Sequence, residues 1–225
     1  MLRRSPTTVA LLLFAVSAFG DEKSDRVDEL FGRWDQAGSP GAAVAIVQDG
    51  EVVYARGYGE ANLEHGVPIT PQSVFYLGSV SKQFVAFCIA LLEHEGKLSL
   101  EDDLRKYVPE LPDYGTTITI AHLVHHTSGI RDYLELMSLA GLPLGTFHDD
   151  EGVIELIARQ KGLNFTPGER YLYSNSGYFL LNVVVERASG QTLKEFAHER
   201  IFEPLGMEST HFHDDYAHLI PKRAS

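Results

Sequence analysis

Cysteine is almost absent from this chain. Cys88 is the only one among 225 residues, so no internal disulfide can form and stability has to come from a packed core. Basic charge is in deficit as well: 19 Lys and Arg stand against 31 Asp and Glu, a formal net charge of −12. Recognition of nucleic acid needs clustered Lys and Arg to meet the phosphates, and this balance argues against such a partner. No apolar run reaches the roughly 20 residues that a bilayer-spanning helix needs, so no stable membrane anchor is expected. Two hydrolase signatures are missing too. No serine lies in a Gly-x-Ser-x-Gly elbow, which speaks against an α/β-hydrolase. Despite ten histidines, there is no His-Glu-x-x-His. His122 and His126 have helical i, i+4 spacing, and His211-Phe212-His213 lies near the end, but a zinc hydrolase would also need a third ligand and a general base. Neither a metal nor a cofactor is expected. There is no internal repeat and no low-complexity linker.

What is present is ordinary globular material, 44% hydrophobic and 22% charged. Residues 1–20 read as a secretory signal: Arg3 and Arg4 open it, Val9 to Val16 is unbroken apolar chain, and Ser17-Ala18-Phe19-Gly20 supplies small residues for cleavage after Gly20. That predicts a secreted or periplasmic protein. The leader holds two basic residues and no acid, so its removal takes the formal charge to −14. Residues 21–225 then form the folded part, with an N-terminal hairpin over 42–57 and a helical region over 79–210.

The hairpin is the clearest local signal. Ala42 to Gln48 reads as a buried strand, Asp49-Gly50 as a two-residue turn whose positions tolerate positive φ, and Val52 to Arg56 as the returning strand. A loop from Gly66 to Ser73 follows. Beyond Ser81 the pattern turns helical. Phe84 to Leu92 is apolar on every side, which predicts a helix buried all round and stopped at Gly96. Further helices are expected over Leu100–Tyr107, Ile120–His126 with Thr119 as N-cap, Asp150–Gln160, Ser176–Arg187 and Thr192–Phe202. The fold class is therefore mixed α/β (α+β): an antiparallel sheet flanked by helices, plus an all-helical region. A lone two-stranded hairpin is marginal and normally belongs to a larger sheet. The chain supplies no further clear strand, so the C-terminal strands of that sheet are expected to be missing.

Ser79-Val80-Ser81-Lys82 carries the chemistry that stands out. Ser79 and Lys82, three apart at a helix start, share one face. A serine hydroxyl is a poor nucleophile until a neighbouring base takes its proton. A lysine can do so when burial lowers its pKa from about 10.4. The positive helix N-terminus disfavours an ammonium and would stabilise negative charge on an acyl oxygen. Composition alone yields Ser-x-x-Lys about once in a chain this long, and a bland alternative stands beside it: Ser79 as a helix cap and Lys82 as an ordinary first-turn residue. A second element is Tyr173-Ser174-Asn175. A tyrosine near a lysine can exchange protons with a nucleophile and a leaving group. An asparagine amide can hold a substrate carbonyl or bond a lysine. The bland alternative here is a buried aromatic followed by a helix cap.

Together GSVSKQF (Gly78 to Phe84) and YSNSGY (Tyr173 to Tyr178) resemble the serine β-lactamase and penicillin-binding protein superfamily. The likeness is greatest to its class C β-lactamase, D-alanyl-D-alanine carboxypeptidase and esterase branch. GKLSLEDDLRKYVPEL (Gly96 to Leu111), HLVHHTSGIRDY (His122 to Tyr133) and FEPLGMEST (Phe202 to Thr210) extend the likeness, which covers about Gly41 to Thr210 in the family's order. The resemblance implies a β-lactamase/DD-peptidase-like fold and Ser79 as the acylated nucleophile. It implies that Lys82 assists deprotonation, Tyr173 shuttles protons and Asn175 positions the substrate amide or Lys82. One oxyanion donor would be the Ser79 N–H. The substrate would be a small molecule or a cell-wall peptide: a β-lactam, a D-alanyl peptide or an ester. Whether Lys82 or Tyr173 is the base stays open.

The family's third motif, Lys-Thr-Gly or His-x-Gly, is expected beyond Tyr173 and is not found there. His94-Glu95-Gly96 has the letters but ends the Ser79 helix. A missing strand of this kind would remove one oxyanion donor, a loss of about 10²–10³ in rate. The expectation is a fragment or truncated product of doubtful activity, with a non-catalytic remnant or cell-wall peptide-binding pseudoenzyme as the rival reading. Nothing in the sequence points to an oligomeric state.

Overall fold

The computed structural model describes residues 21–143, 149–215 and 217–225; the leader over residues 1–20 lies outside them. The chain divides into two compact units, one built from residues up to Tyr76 with Leu219–Ser225, the other from Leu77–His218.

The first unit holds helix α1 (Asp21–Phe31) and strands β1 (Ala42–Gln48), β2 (Glu51–Tyr58), β3 (Glu60–Asn62) and β4 (Val67–Pro68). β1 and β2 pair antiparallel, with Gln48 opposite Glu51. Asp49 and Gly50 both take positive φ, at 52° and 84°, as the primed turn that matches strand twist requires. The predicted hairpin forms, but β1 is not the buried strand expected: its residues alternate between half-buried and exposed, and Val47 stands out to solvent. At its open end the backbones approach closely: a Cβ on Gly41 would sit 1.6 Å from the Tyr58 carbonyl oxygen, so only glycine fits. β3 and β4 form a second two-stranded sheet, and the segment Lys222–Ser225 runs beside Val74 and Ala61, bonded to both through backbone amides.

Helix α1 lies in what reads as a polar stretch, and its attachment explains why. The Tyr54 and Tyr58 hydroxyls donate to Asp28 Oδ1 at 2.5 and 2.7 Å, and Arg56 pairs with Asp28 and with Asp35. Only the Phe31 ring, stacked 5.2 Å from Tyr58, adds an apolar anchor of note. Val27, Leu30 and Phe31 do fall at helical i, i+3, i+4 spacing, but they are the three apolar residues among eleven, so the helix reads as polar chain.

The second unit carries the core. It contains α2 (Lys82–His94), α3 (Ile120–Val124), α4 (Tyr133–Leu139), α5 (Asp150–Ala158), α6 (Asn175–Ser189) and α7 (Leu193–Ala197), which continues into a π-turn over His198–Phe202. α2 packs on α6 and α7 and buries Val85, Cys88, Ile89 and Leu92, an i, i+3, i+4, i+7 stripe. Its other side is open: Phe87 is 46% exposed. The expectation of burial all round is therefore corrected, because apolar side chains also line the outer face. α6 is the more deeply buried helix, with Leu180, Leu181, Val183, Val184 and Val185 all in the core. It ends at Gly190 in the left-handed conformation. Burial pushes the Cys88 thiol up to about 12, which keeps it protonated and inert.

Leu100–Tyr107 is not the helix its sequence suggests. Only a 3-10 turn forms over Leu104–Lys106. The Leu104 N–H goes across to the Ile118 carbonyl, and Asp103 pairs with Thr119 as an antiparallel bridge. Non-local bonding has taken the donors that a helix would use. α3 is capped by Thr119 as expected, with His122 closing the capping box. It stops at Val124, two residues short of His126, which adopts φ +57°. The mixed class of antiparallel sheet and helices matches the expected fold.

Phe196 is 1% exposed in the core where α7 meets α2 and α6. Its replacement by Ala is expected to cost about 3–5 kcal/mol, read from the midpoint shift in urea denaturation followed by circular dichroism.

Candidate active site

Gly78, at φ +54°, turns the chain into a short 3-10 segment over Gly78–Ser81 that feeds directly into α2. This turn places Ser79 just ahead of the helix and Lys82 at its first residue. Lys82 Nζ donates to Ser79 Oγ at 3.1 Å and to Asn175 Oδ1 at 3.0 Å. The Tyr173 hydroxyl donates to the same Ser79 oxygen at 2.6 Å. Ser79, Lys82, Tyr173 and Asn175, separated by more than ninety positions in sequence, thus meet at one point. The Lys82 ammonium also faces two aromatic rings, 4.9 Å from the Tyr173 centroid and 5.6 Å from that of Tyr178.

The electrostatics favour proton movement here. Partial burial pushes the Tyr173 phenol up, but its hydrogen bonds with Lys82 and Ser79 and the Lys82 charge outweigh that. The phenol lies below its ordinary value near 10. A phenol eased toward phenolate, touching a serine oxygen at 2.6 Å, is placed to take or return a proton.

The segment before Tyr173 is laid against the run His126-Thr127-Ser128-Gly129. The His126 carbonyl accepts the Leu172 N–H (2.9 Å), Thr127 accepts Gly168 (2.8 Å) and Gly129 accepts Asn164 (2.8 Å). Gly129 is needed for this approach, since at φ +73° a Cβ would meet the Phe165 carbonyl oxygen at 2.3 Å. Past Tyr173, Ser174 caps α6 by accepting the Gly177 N–H, which makes Asn175 the first residue of that helix.

Asp132 was not singled out from the sequence, yet it joins two helices. Its Oδ1 caps α4 by accepting the Leu134 and Glu135 N–H groups, and its Oδ2 accepts the N–H of Asn175. It is 8% exposed. Ser176 adds a parallel tie, donating to the Arg131 carbonyl and accepting the Tyr133 N–H. The available hint was position: Asp132 is the last residue but one of the run HLVHHTSGIRDY, and an Asp before Tyr-Leu-Glu-Leu is a helix-start signature. Two of the histidines weighed as metal ligands, His122 and His126, hold backbone amides. Nδ1 of His122 accepts the Thr119 N–H and Nδ1 of His126 accepts the Ser174 N–H.

With this geometry in hand, the comparisons with known proteins agree on a lineage. Residues 27–221 match the family model described as Beta-lactamase, and the chain belongs to that family. A D-aminopeptidase of Gluconobacter oxydans is 34% identical over 170 residues, which is 75% of this chain and 32% of that relative. A penicillin-binding protein of Bacillus subtilis is 35% identical over 182 residues, covering 80% of this chain and 39% of its own length. Among solved structures, the octameric penicillin-binding protein homologue from Pyrococcus abyssi matches with a TM-score of 0.74 and 33% identity, over 91% of this chain and 47% of that one. The chain therefore spans well under half the length of these curated relatives.

Replacing Asp132 by Ala strands three backbone donors and is expected to lower stability by about 1–3 kcal/mol. Asn, which keeps one acceptor oxygen, should lose less. Urea denaturation of the two variants checks this, and equal stability of wild type and Asp132→Ala would refute the double-cap role.

Proposed function

We propose that the second unit carries the nucleophile centre of a serine hydrolase that works through an acyl-enzyme at Ser79. The observation that carries this reading is the placement of Ser79 Oγ between Lys82 Nζ and the Tyr173 hydroxyl. With Tyr173 as phenolate and Lys82 as ammonium, the phenolate takes the Ser79 proton as Oγ attacks the substrate carbonyl carbon. The carbonyl π electrons move to oxygen, where the Ser79 N–H and the helix N-terminus stabilise the charge. Collapse re-forms the C=O bond and expels the leaving nitrogen or oxygen, which takes its proton from Tyr173. Water then adds to the ester carbonyl while Tyr173 takes its proton, and the second collapse breaks the acyl C–O bond as Tyr173 returns that proton to Ser79 Oγ. The Lys82 ammonium stabilises Tyr173 whenever it is phenolate, and Asn175 orients Lys82.

The names of the relatives, D-aminopeptidase and penicillin-binding protein, favour the carbonyl of a D-amino-acid peptide or a β-lactam as the substrate. The leader read over residues 1–20 supports an exported protein acting where such cell-wall peptides occur.

Labelling with a fluorescent penicillin and with an activated ester tests the proposal. Label on Ser79, lost in Ser79→Ala, is the expected result. Folded protein that binds penicillin without acylation would refute it in favour of a binding pseudoenzyme. Tyr173→Phe should slow labelling by about 10²–10⁴. Because the Tyr173 phenol is held down, the wild-type rate should climb with pH through a midpoint below 10, and this step should vanish in the Phe variant.

A further inference from the structure

Both backbone N–H groups that flank Tyr173 end on one residue. Leu172 N–H goes to the His126 carbonyl at 2.9 Å, and Ser174 N–H goes to His126 Nδ1 at 3.1 Å. Between these two bonds the imidazole lies 4.6 Å from the Tyr173 ring, tilted by 32°. Tyr178 of α6 closes the other contact at 5.0 Å, and Tyr171 meets the ring edge-on at 5.8 Å. His126 achieves this in the left-handed region, φ +57°, which is uncommon for a residue other than glycine, though His, Asn and Asp visit it more than most. The strained backbone is what lets one residue present its carbonyl and its ring to the same strand of chain.

We propose that His126 is a positioning residue: its neutral imidazole seats Tyr173 against Ser79, and its protonation undoes that seat. The proposal depends on the reading of Tyr173 as the group that exchanges protons with Ser79. The chemistry is direct. An Nδ1 that accepts the Ser174 N–H must carry no proton. Protonation turns it into a donor facing a donor, so the Tyr173–Ser174 peptide is pushed away. It also sets an imidazolium beside the Lys82 ammonium. The groups facing the ring are Lys82 from α2, Tyr171 and Tyr173 from the segment before α6, and Tyr178 from α6; the Asp132 carboxylate, whose charge acts on Tyr173, accepts the Leu134, Glu135 and Asn175 N–H groups. Burial first, then the Lys82 charge, holds the His126 imidazole below its ordinary value of 6.5. The seat is therefore intact at neutral pH and lost as pH falls through that lowered value.

Two measurements on the full chain test this, with folding checked by far-ultraviolet circular dichroism. The first is the phenolate absorbance titration of Tyr173, taken as the difference between the full chain and Tyr173→Phe. In His126→Asn, whose amide keeps an acceptor and tolerates positive φ but has no aromatic ring, the Tyr173 midpoint should rise toward 10 as the ring drifts from Lys82. The second is the rate of Ser79 labelling by an activated ester between pH 4.5 and 8. Wild type should lose at least tenfold in rate through an acid step below pH 6.5, and His126→Asn should lack that step. A folded His126→Asn with an unmoved Tyr173 midpoint, or with the acid step retained, overturns the proposal. Absence of wild-type labelling at every pH would instead count against the nucleophile assignment of Ser79, and the Tyr173 titration would still decide the role of His126.

Discussion

Lys82 stands where two helices begin. It is the first residue of α2, and its ammonium is bonded to Asn175, the first residue of α6. Helix N-termini carry partial positive charge, so an ammonium between two of them is electrostatically unfavourable unless something compensates. The compensation is local and specific: the amide oxygen of Asn175, the oxygen of Ser79 and the π-faces of Tyr173 and Tyr178. This demand shapes the neighbourhood. Hydrogen bonds with Lys82 and Ser79 and the Lys82 charge hold the Tyr173 phenol down, and burial first, then the Lys82 charge, lowers the His126 imidazole.

Holding that arrangement falls to backbone bonding rather than to side-chain packing. Carbonyls of His126, Thr127 and Gly129 take amides from the segment leading to Tyr173, so the phenol arrives at Ser79 on a backbone fastened at successive points. Asp132 then ties the start of α6 to the start of α4 through one carboxylate. The apolar core lies behind this polar layer, where α2, α6 and α7 meet through Ile89, Leu92, Leu180, Val184 and Phe196. Core packing brings α2 and α6 together, and the polar ties set which residues of the two helices face each other. A site of this kind tolerates little displacement, since proton transfer requires contacts within about 2.6–3.2 Å.

Features governed by near neighbours were readable in advance. The Asp49-Gly50 turn, the Thr119 cap and the glycine stop at Gly96 each depend on a few adjacent residues, and each is found. Features governed by distant partners were not. The run Leu100–Tyr107 has the composition of a helix, yet it gives the amide of Leu104 to Ile118. Helix α1 is fastened by Asp28 to tyrosines some thirty residues away, and its three apolar residues, Val27, Leu30 and Phe31, are too few to lift it out of a polar stretch. Asp132 belongs to the same class. Its importance lies in a bond to Asn175, forty-three positions on, and nothing in its own surroundings marks it as more than a helix cap.

Ser79, Lys82, Tyr173 and Asn175 were singled out from the sequence through the resemblance of GSVSKQF and YSNSGY to a known family, since residue type and spacing by themselves left bland alternatives open. Membership of the Beta-lactamase family was legible through the order of those motifs along the chain. Tertiary structure decided which atoms meet. It placed the Tyr173 hydroxyl, not only Lys82, on the Ser79 oxygen, and it turned His126 from a landmark into the residue that holds Tyr173 from both sides. The physical reason is that hydrogen bonds and ring contacts act over a few ångströms in space, whatever the distance along the chain. A sequence reports its groups, and only the folded chain reports their separations.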